Sequence, residues 1–148
     1  MQDVEDNQLL VLVEMEGWYL LLPQSNVLSI ELSSEAVCTR KGKQLLWWLT
    51  WKKHKVSLVA FDKEAQLARV EDFSGNAIVV LGNAEGLLGL SCVNVQMVSS
   101  LNIDSVADVP KIMHSENSLF LQLAVHEEKL ICVSNLEKIQ NFIKVHDE

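Results

Sequence analysis

Apolar and polar positions along this chain fall into short blocks divided by turn residues rather than into helical repeats. Leu9-Leu10-Val11-Leu12-Val13 is followed by a break at Glu16-Gly17 and then by Trp18-Tyr19-Leu20-Leu21-Leu22. Two β-prone runs around a glycine-containing break predict a hairpin. Ala77 to Leu81 and Leu87 to Val93, around Gly82-Asn83-Ala84-Glu85-Gly86, repeat the plan with a longer turn. Leu119 to Val125 and Leu130 to Val133 flank the polar tetrapeptide His126-Glu127-Glu128-Lys129, and Trp47 to Trp51 and Val56 to Phe61 flank Lys52-Lys53-His54-Lys55. Four hairpins therefore dominate the expected fold, which is all-β.

The chain also repeats itself. A shift of 68 residues lays Leu10-Val11-Leu12-Val13 on Ile78-Val79-Val80-Leu81, Asn26-Val27 on Asn94-Val95 and Ile30 on Val98. A shift of 74 lays Leu49-Thr50-Trp51 on Leu123-Ala124-Val125, Lys55 on Lys129 and Val56 on Leu130. Two similar halves of about 70 residues are each marginal alone, so they are expected to share a buried interface as one rigid body. Ser33 to Lys43 and Asn102 to Asn117 read as polar connectors. A helix is expected at the C-terminal end, where Ser134 and Glu137 form a capping box and Leu136, Ile139, Phe142 and Ile143 form an apolar face suited to a barrel mouth. Lys63 to Arg69 could add one helical turn.

Composition narrows the function. The 148 residues are 49% hydrophobic and 22% charged, with 12 basic against 20 acidic residues and a net charge of −8. That balance repels polyanions, so general nucleic-acid binding is not expected. No apolar run approaches the roughly 18 to 20 residues of a membrane span, and the acidic start lacks the basic region of a secretory signal, which makes the cytoplasm the expected compartment. Cys38, Cys92 and Cys132 are too far apart for a zinc motif and odd in number, so they read as reduced thiols, with Cys92 and Cys132 buried in strands. His54, His114, His126 and His146 fall in expected turns, loops or the tail and read as surface groups, and Glu127-Glu128 reads as a solvated hairpin tip. No G-x-S-x-G, H-E-x-x-H or phosphate-loop pattern is present, and no acid, base and nucleophile converge. The expectation is a protein that is not an enzyme, with no cofactor and no metal.

One segment departs from a bland domain. Trp47-Trp48-Leu49-Thr50-Trp51 runs into Lys52-Lys53-His54-Lys55, placing three of four tryptophans beside a basic turn in an acidic protein. In a strand, Trp47, Leu49 and Trp51 share one face while Trp48 and Thr50 share the other. Either both faces are buried between the halves, or an indole is exposed as a protein-binding anchor, Trp51 being the natural one. An exposed Trp51 predicts that Trp51→Ala leaves the thermal midpoint within a few degrees. Aromatics beside lysines could also make the barrels a binding module for a small ligand or single-stranded nucleic acid.

The order of segments resembles the CheW-like adaptor family of bacterial chemotaxis: Leu9 to Val13, Trp18 to Pro23, Asn26-Val27-Leu28-Ser29-Ile30-Glu31, then Val56 to Phe61, with Ala77 to Val98 and Leu130 to Ile143 agreeing in the second half. The resemblance implies a single domain over residues 1–148 built from two small five-stranded β-barrels with pseudo-twofold symmetry, the halves being roughly 8–70 and 76–143 with strands able to exchange between barrels. It implies a non-catalytic coupler whose partners are a chemoreceptor cytoplasmic tip and the regulatory domain of a histidine kinase. The Trp-rich centre is similar to ChpC-type adaptors of type IV pilus chemosensory systems. The family's N-L-R-G signature aligns with Thr50-Trp51-Lys52-Lys53, so that Lys52 stands in place of its partner-contacting Arg, and an ammonium lacks the planar fork of guanidinium. The family's receptor-facing surface maps onto Val27, Ser29, Ile30 and Lys52, with Trp51 beside them. Read from the residues alone, Val27 and Ile30 are more simply core packing than contact.

Overall fold

The computed structural model describes residues 8–42, 44–68, 77–83, 86–108 and 118–146. Among the described residues twelve strands precede one helix: β1 (Leu9–Glu14), β2 (Tyr19–Pro23), β3 (Val27–Leu32), β4 (Val37–Lys41), β5 (Gln44–Trp51), β6 (His54–Val59), β7 (Ala77–Asn83), β8 (Gly86–Cys92), β9 (Asn94–Ser99), β10 (Ser105–Asp108), β11 (Gln122–His126), β12 (Lys129–Val133) and α1 (Leu136–His146). All four expected hairpins form, with β1 on β2, β5 on β6, β7 on β8 and β11 on β12.

The strands make two six-stranded sheets, ordered β10-β11-β12-β2-β1-β9 and β3-β7-β8-β6-β5-β4. Exchanging β1–β6 for β7–β12 converts one order into the other, so the repeat seen in the sequence is a repeat of topology. Each sheet mixes the two halves: the β1-β2 hairpin pairs with β9–β12, and the β7-β8 hairpin with β3–β6. The sixth strand of each sheet, β4 or β10, lies in a segment whose polar composition predicted only a connector. Edge strands expose one face and one row of backbone groups to water, so they need no apolar run to form.

The sheets cannot be flat. β3 and β4 end the same sheet, yet only residues 33–36 join them. Five flat strand spacings would require about 24 Å, against a reach of at most about 18 Å for the connection. The sheet is therefore rolled, and the 3₁₀ turn Ser33–Glu35 is where the chain crosses from one edge to the other. Ser100–Asn102 does the same between β9 and β10.

Alternating side chains of central strands fill different cores. Val79 and Leu81 of β7 enter a shared core that also takes Val11 and Val13 of β1, Leu20 and Leu22 of β2, and Leu88 and Leu90 of β8. Ile78 and Val80 point the other way, into a core with Leu49, Val56 and Leu58. Leu10, Leu12 and Leu21 do the equivalent with Val98, Ala124 and Ile131. Strands buried on both faces read as unbroken apolar runs, which is how β1, β2 and β7 look in the sequence.

Three local expectations are corrected by the structure. The helix is capped by Asn135 rather than Ser134: the Lys138 N–H donates to Asn135 Oδ1 at 2.8 Å, and the Leu136 N–H donates to Asn26 Oδ1 at 3.0 Å. Ser134 is buried and donates to the Leu119 carbonyl instead. Leu136, Ile139 and Phe142 enter the shared core, so α1 seals the junction of the sheets and not a barrel mouth. Residues 63–68 form no helix; Phe61 bridges Leu67, and Asp62 Oδ1 accepts from the N–H groups of Glu64 and Gln66. An Asx-type turn outcompetes the helix there.

Candidate functional site

The site read from the sequence comprises Val27, Ser29 and Ile30 on β3 and Trp51 and Lys52 where β5 ends. β3 is an edge strand, paired only with β7, and its register slips between Val27 and Ser29, where Leu28 is the extra residue of a β-bulge. Gly82 of β7 makes room for it: a Cβ there would stand 2.4 Å from Leu28 Cδ1. A bulge re-aims the residues that follow it. Val27 lies opposite Leu81, and Ile30 opposite Val79, so both lie on the shared-core side of the sheet. Val27 is half-buried against that core, whereas Ile30 is 52% exposed and Leu32, next on the same side, 68%. Ser29 lies on the other face, opposite Val80, and donates its hydroxyl to Glu31.

The bulge also corrects the alignment of the halves. Val27 and Val95 are equivalent, as the shift of 68 requires, because they pair with Leu81 and Val13. Beyond the bulge the equivalent of Ile30 is Met97, which pairs with Val11, and not Val98, whose side chain fills the core within the other sheet. Met97 is likewise exposed. The apolar margin of the shared core thus reaches solvent on both edge strands.

Trp51 is not the exposed anchor that the sequence allowed. Trp47, Leu49 and Trp51 share the inner face of β5, where Leu49 is fully buried and both indoles pack against its cluster. Trp48 lies on the outer face, half-buried, with its Nε1 donating to Thr39 Oγ1 at 2.9 Å and the Lys55 ammonium 4.5 Å from its ring centroid. The turn after Trp51 has two residues rather than four: β6 starts at His54, and Lys52 and Lys53 take φ of +44° and +69°. Both values are those of the left-handed turn that matches strand twist, a place favoured by Asn and Gly. The Lys52 ammonium lies 5.0 Å from the Trp51 ring centroid. Glu127 and Glu128 take the equivalent turn between β11 and β12, at +49° and +67°. Trp51 and His126 are therefore equivalent, a shift of 75 rather than 74.

Within the sheet three strands, β7, β8 and β6, separate β3 from β5, so the five residues form two places rather than one cluster. They meet indirectly: the connection after β3 ends at Ala36, which packs into the same core as Trp47 and Trp51.

The histidines divide. His54 is exposed and His114 lies outside the described residues, but His126 is buried at 6% exposure, contrary to the surface expectation. The short turn draws His126 into β11, where its Nδ1 lies 2.7 Å from the Asn102 carbonyl and its Nε2 lies 3.7 Å from Glu127. Burial holds the Cys92 thiol up at about 12 and Cys132 at about 11, far from a reactive thiolate. Among the described residues, no cluster of His, Cys, Asp or Glu is arranged to hold a metal ion, and no helix is long and apolar enough to cross a membrane.

No family model matches the chain, and neither does any curated protein. In fold the chain is similar to the scaffolding protein TtCheW from Thermoanaerobacter tengcongensis, with a TM-score of 0.64 over 86% of this chain and 88% of that one. Identity between the two is 10%. At that distance the likeness is one of fold.

Proposed function

We propose that this protein is a non-catalytic adaptor of a chemosensory pathway, joining the cytoplasmic tip of a chemoreceptor to the regulatory domain of a histidine kinase and acting in the cytoplasm. The observation that carries the reading is the likeness of fold to a scaffolding protein over 86% of this chain. The segment order that resembles CheW-like adaptors supports it from the sequence side, and the Trp-rich centre suggests a pilus-linked system.

The partner surface is assigned to β3 and the β5-β6 turn. Ile30, with Leu32 beside it, offers an apolar stripe at the margin of the shared core, where a partner helix could add its own apolar face. Ser29 and Lys52 supply polar contacts at the edges, while Val27 and Trp51, half-buried, hold the two places in position. An adaptor transmits a receptor's state only if it binds two arrangements of its partners with different free energies. A shared core sealed by α1 makes the body rigid enough for strain at one face to reach the other.

The test is co-purification of the tagged protein from its own host, partners being identified by mass, with Ile30→Asp and Lys52→Glu beside the parent. Recovery of a histidine kinase or chemoreceptor, lost in Ile30→Asp and weakened in Lys52→Glu while both variants keep the parent's thermal midpoint, supports the reading. Recovery of neither partner overturns the function, and recovery undiminished by both variants overturns the site.

A further inference from the structure

Charge is unevenly divided along this chain. From Ala36 to Phe61 there are six basic residues and no acidic one, leaving six basic against 20 acidic in the rest. That segment is the β4-β5-β6 end of one sheet. Arg40, Lys41, Lys52, Lys53 and Lys55 are all exposed, and none forms an ion pair with a described carboxylate. Holding like charges together unneutralised is unfavourable unless something of opposite sign comes to them. The equivalent β10-β11-β12 end carries Glu127-Glu128 at the turn where this one carries Lys52-Lys53, so the basic character belongs to one half and not to the architecture.

By register Lys41 and Lys55 belong to the outer face of these strands, whereas Arg40, opposite Leu45, and Lys52, against the Trp51 ring, lie toward the other side; the two outer-face cations flank an organised apolar centre. The outer face of β4–β6, opposite the tryptophans that fill the core, aligns Val37 with Trp48 and Thr50 with Lys55. Val37 and Leu46 are exposed there, and Trp48 is held in place by its bond to Thr39 and by Lys55 over its ring. An aromatic plate fixed beside the Lys55 ammonium, with Lys41 farther along the same face, suits a ligand with carboxylates around an apolar side chain. The face is three strands wide and about eight residues long, roughly 10 by 25 Å.

We infer that the outer face of β4–β6 docks an acidic protein segment of about eight residues carrying one apolar side chain to lie on Trp48. The size of the patch argues for a short segment and against nucleic acid, because phosphates beyond it would meet the acidic remainder of the molecule within a Debye length of about 8–10 Å. A second copy of this chain is a poorer match. Its Glu127-Glu128 turn presents only two carboxylates, and Glu127 already faces His126. This inference rests on charge and geometry and does not depend on the adaptor reading.

The experiment is a titration of the purified protein with a fluorescent peptide of about eight residues, Asp and Glu around a single Leu, followed by anisotropy and by tryptophan emission. Binding is expected to weaken at least about tenfold between about 0.05 and about 0.2 M salt. It is expected to fall about tenfold or more in Lys41→Glu/Lys55→Glu and to stay unchanged in Lys129→Glu on the other half. Trp48→Phe removes the emission change, and circular dichroism of every variant checks the fold. No binding at low salt overturns the proposal, as does equal binding by the parent and Lys41→Glu/Lys55→Glu. Tighter binding of an equally charged oligonucleotide or of phosphatidylserine vesicles would assign the face to a different occupant and overturn it too. So would concentration-dependent self-association that the peptide does not disperse.

Discussion

Single residues here take their roles from the face on which a strand places them. Trp48 and Trp51 are three positions apart in one strand and end on opposite sides of the sheet. Trp51→Ala would leave a void beside Leu49 and Val56, and we expect a loss of about 2–3 kcal/mol. In a domain of this size that lowers the thermal midpoint by about 5–10 °C in calorimetry; a shift of only a degree or two would return Trp51 to the surface. The thiols follow the same logic. Cys38 is exposed, whereas Cys92 and Cys132 are held up by burial at about 12 and about 11. A thiol-specific disulfide reagent near pH 8 should therefore modify one cysteine rapidly in the native protein and the other two only on unfolding. The sign of the pH effect follows. Unfolded thiols lose their protons near 9.0, so above that pH the unfolded state binds fewer protons, and stability contributed by the two thiols falls between about 9 and 12.

At the scale of elements, the tight turns and close approaches were only partly legible. Hairpin positions followed from apolar runs, but turn lengths did not, because Lys52-Lys53 and Glu127-Glu128 are poor formers of the left-handed turns they occupy. Non-glycine residues at positive φ cost about 1 kcal/mol or more each. Replacing Lys52-Lys53 by Asn-Gly should stabilise the protein by about 0.5–1 kcal/mol in urea unfolding, and a loss of stability would show that the lysines contribute packing there. Gly89 tests the opposite case. A Cβ at this position would stand 2.3 Å from Leu58 Cδ2 and 3.3 Å from Ile78 Cγ2, inside a closed core. Gly89→Ala should cost about 1–3 kcal/mol, and Leu58→Ala in the same chain should recover part of that loss. Simple additivity of the two changes would refute the clash.

At the scale of the molecule, the crossing of strands between halves makes each half dependent on the other. Residues 8–68 contain β1 and β2 of one sheet and β3–β6 of the other, and neither set is complete. A chain ending after residue 68 should show the narrow amide dispersion of an unfolded chain in NMR, while the full chain unfolds in one cooperative transition. A well-dispersed spectrum from the shorter chain would mean that the first half can close on itself.

The sequence by itself determined the β class, the four hairpins, the duplication and the terminal helix, because each is written in local periodicity. It also marked the basic tryptophan segment, since charge asymmetry needs no fold to be seen. Tertiary structure alone decided which sheet each hairpin joined, since an apolar run buried on both faces is equally compatible with either partner. It decided that polar residues 37–41 and 105–108 become edge strands, which only the neighbouring strand specifies. It decided that the face Trp51 shares with Leu49 is the inner one, and it drew His126 into the sheet, because a turn of two residues rather than four extends β11 by one. Exposure of Ile30 followed from the Leu28 bulge, which depends on the space above a glycine 54 positions away in the chain.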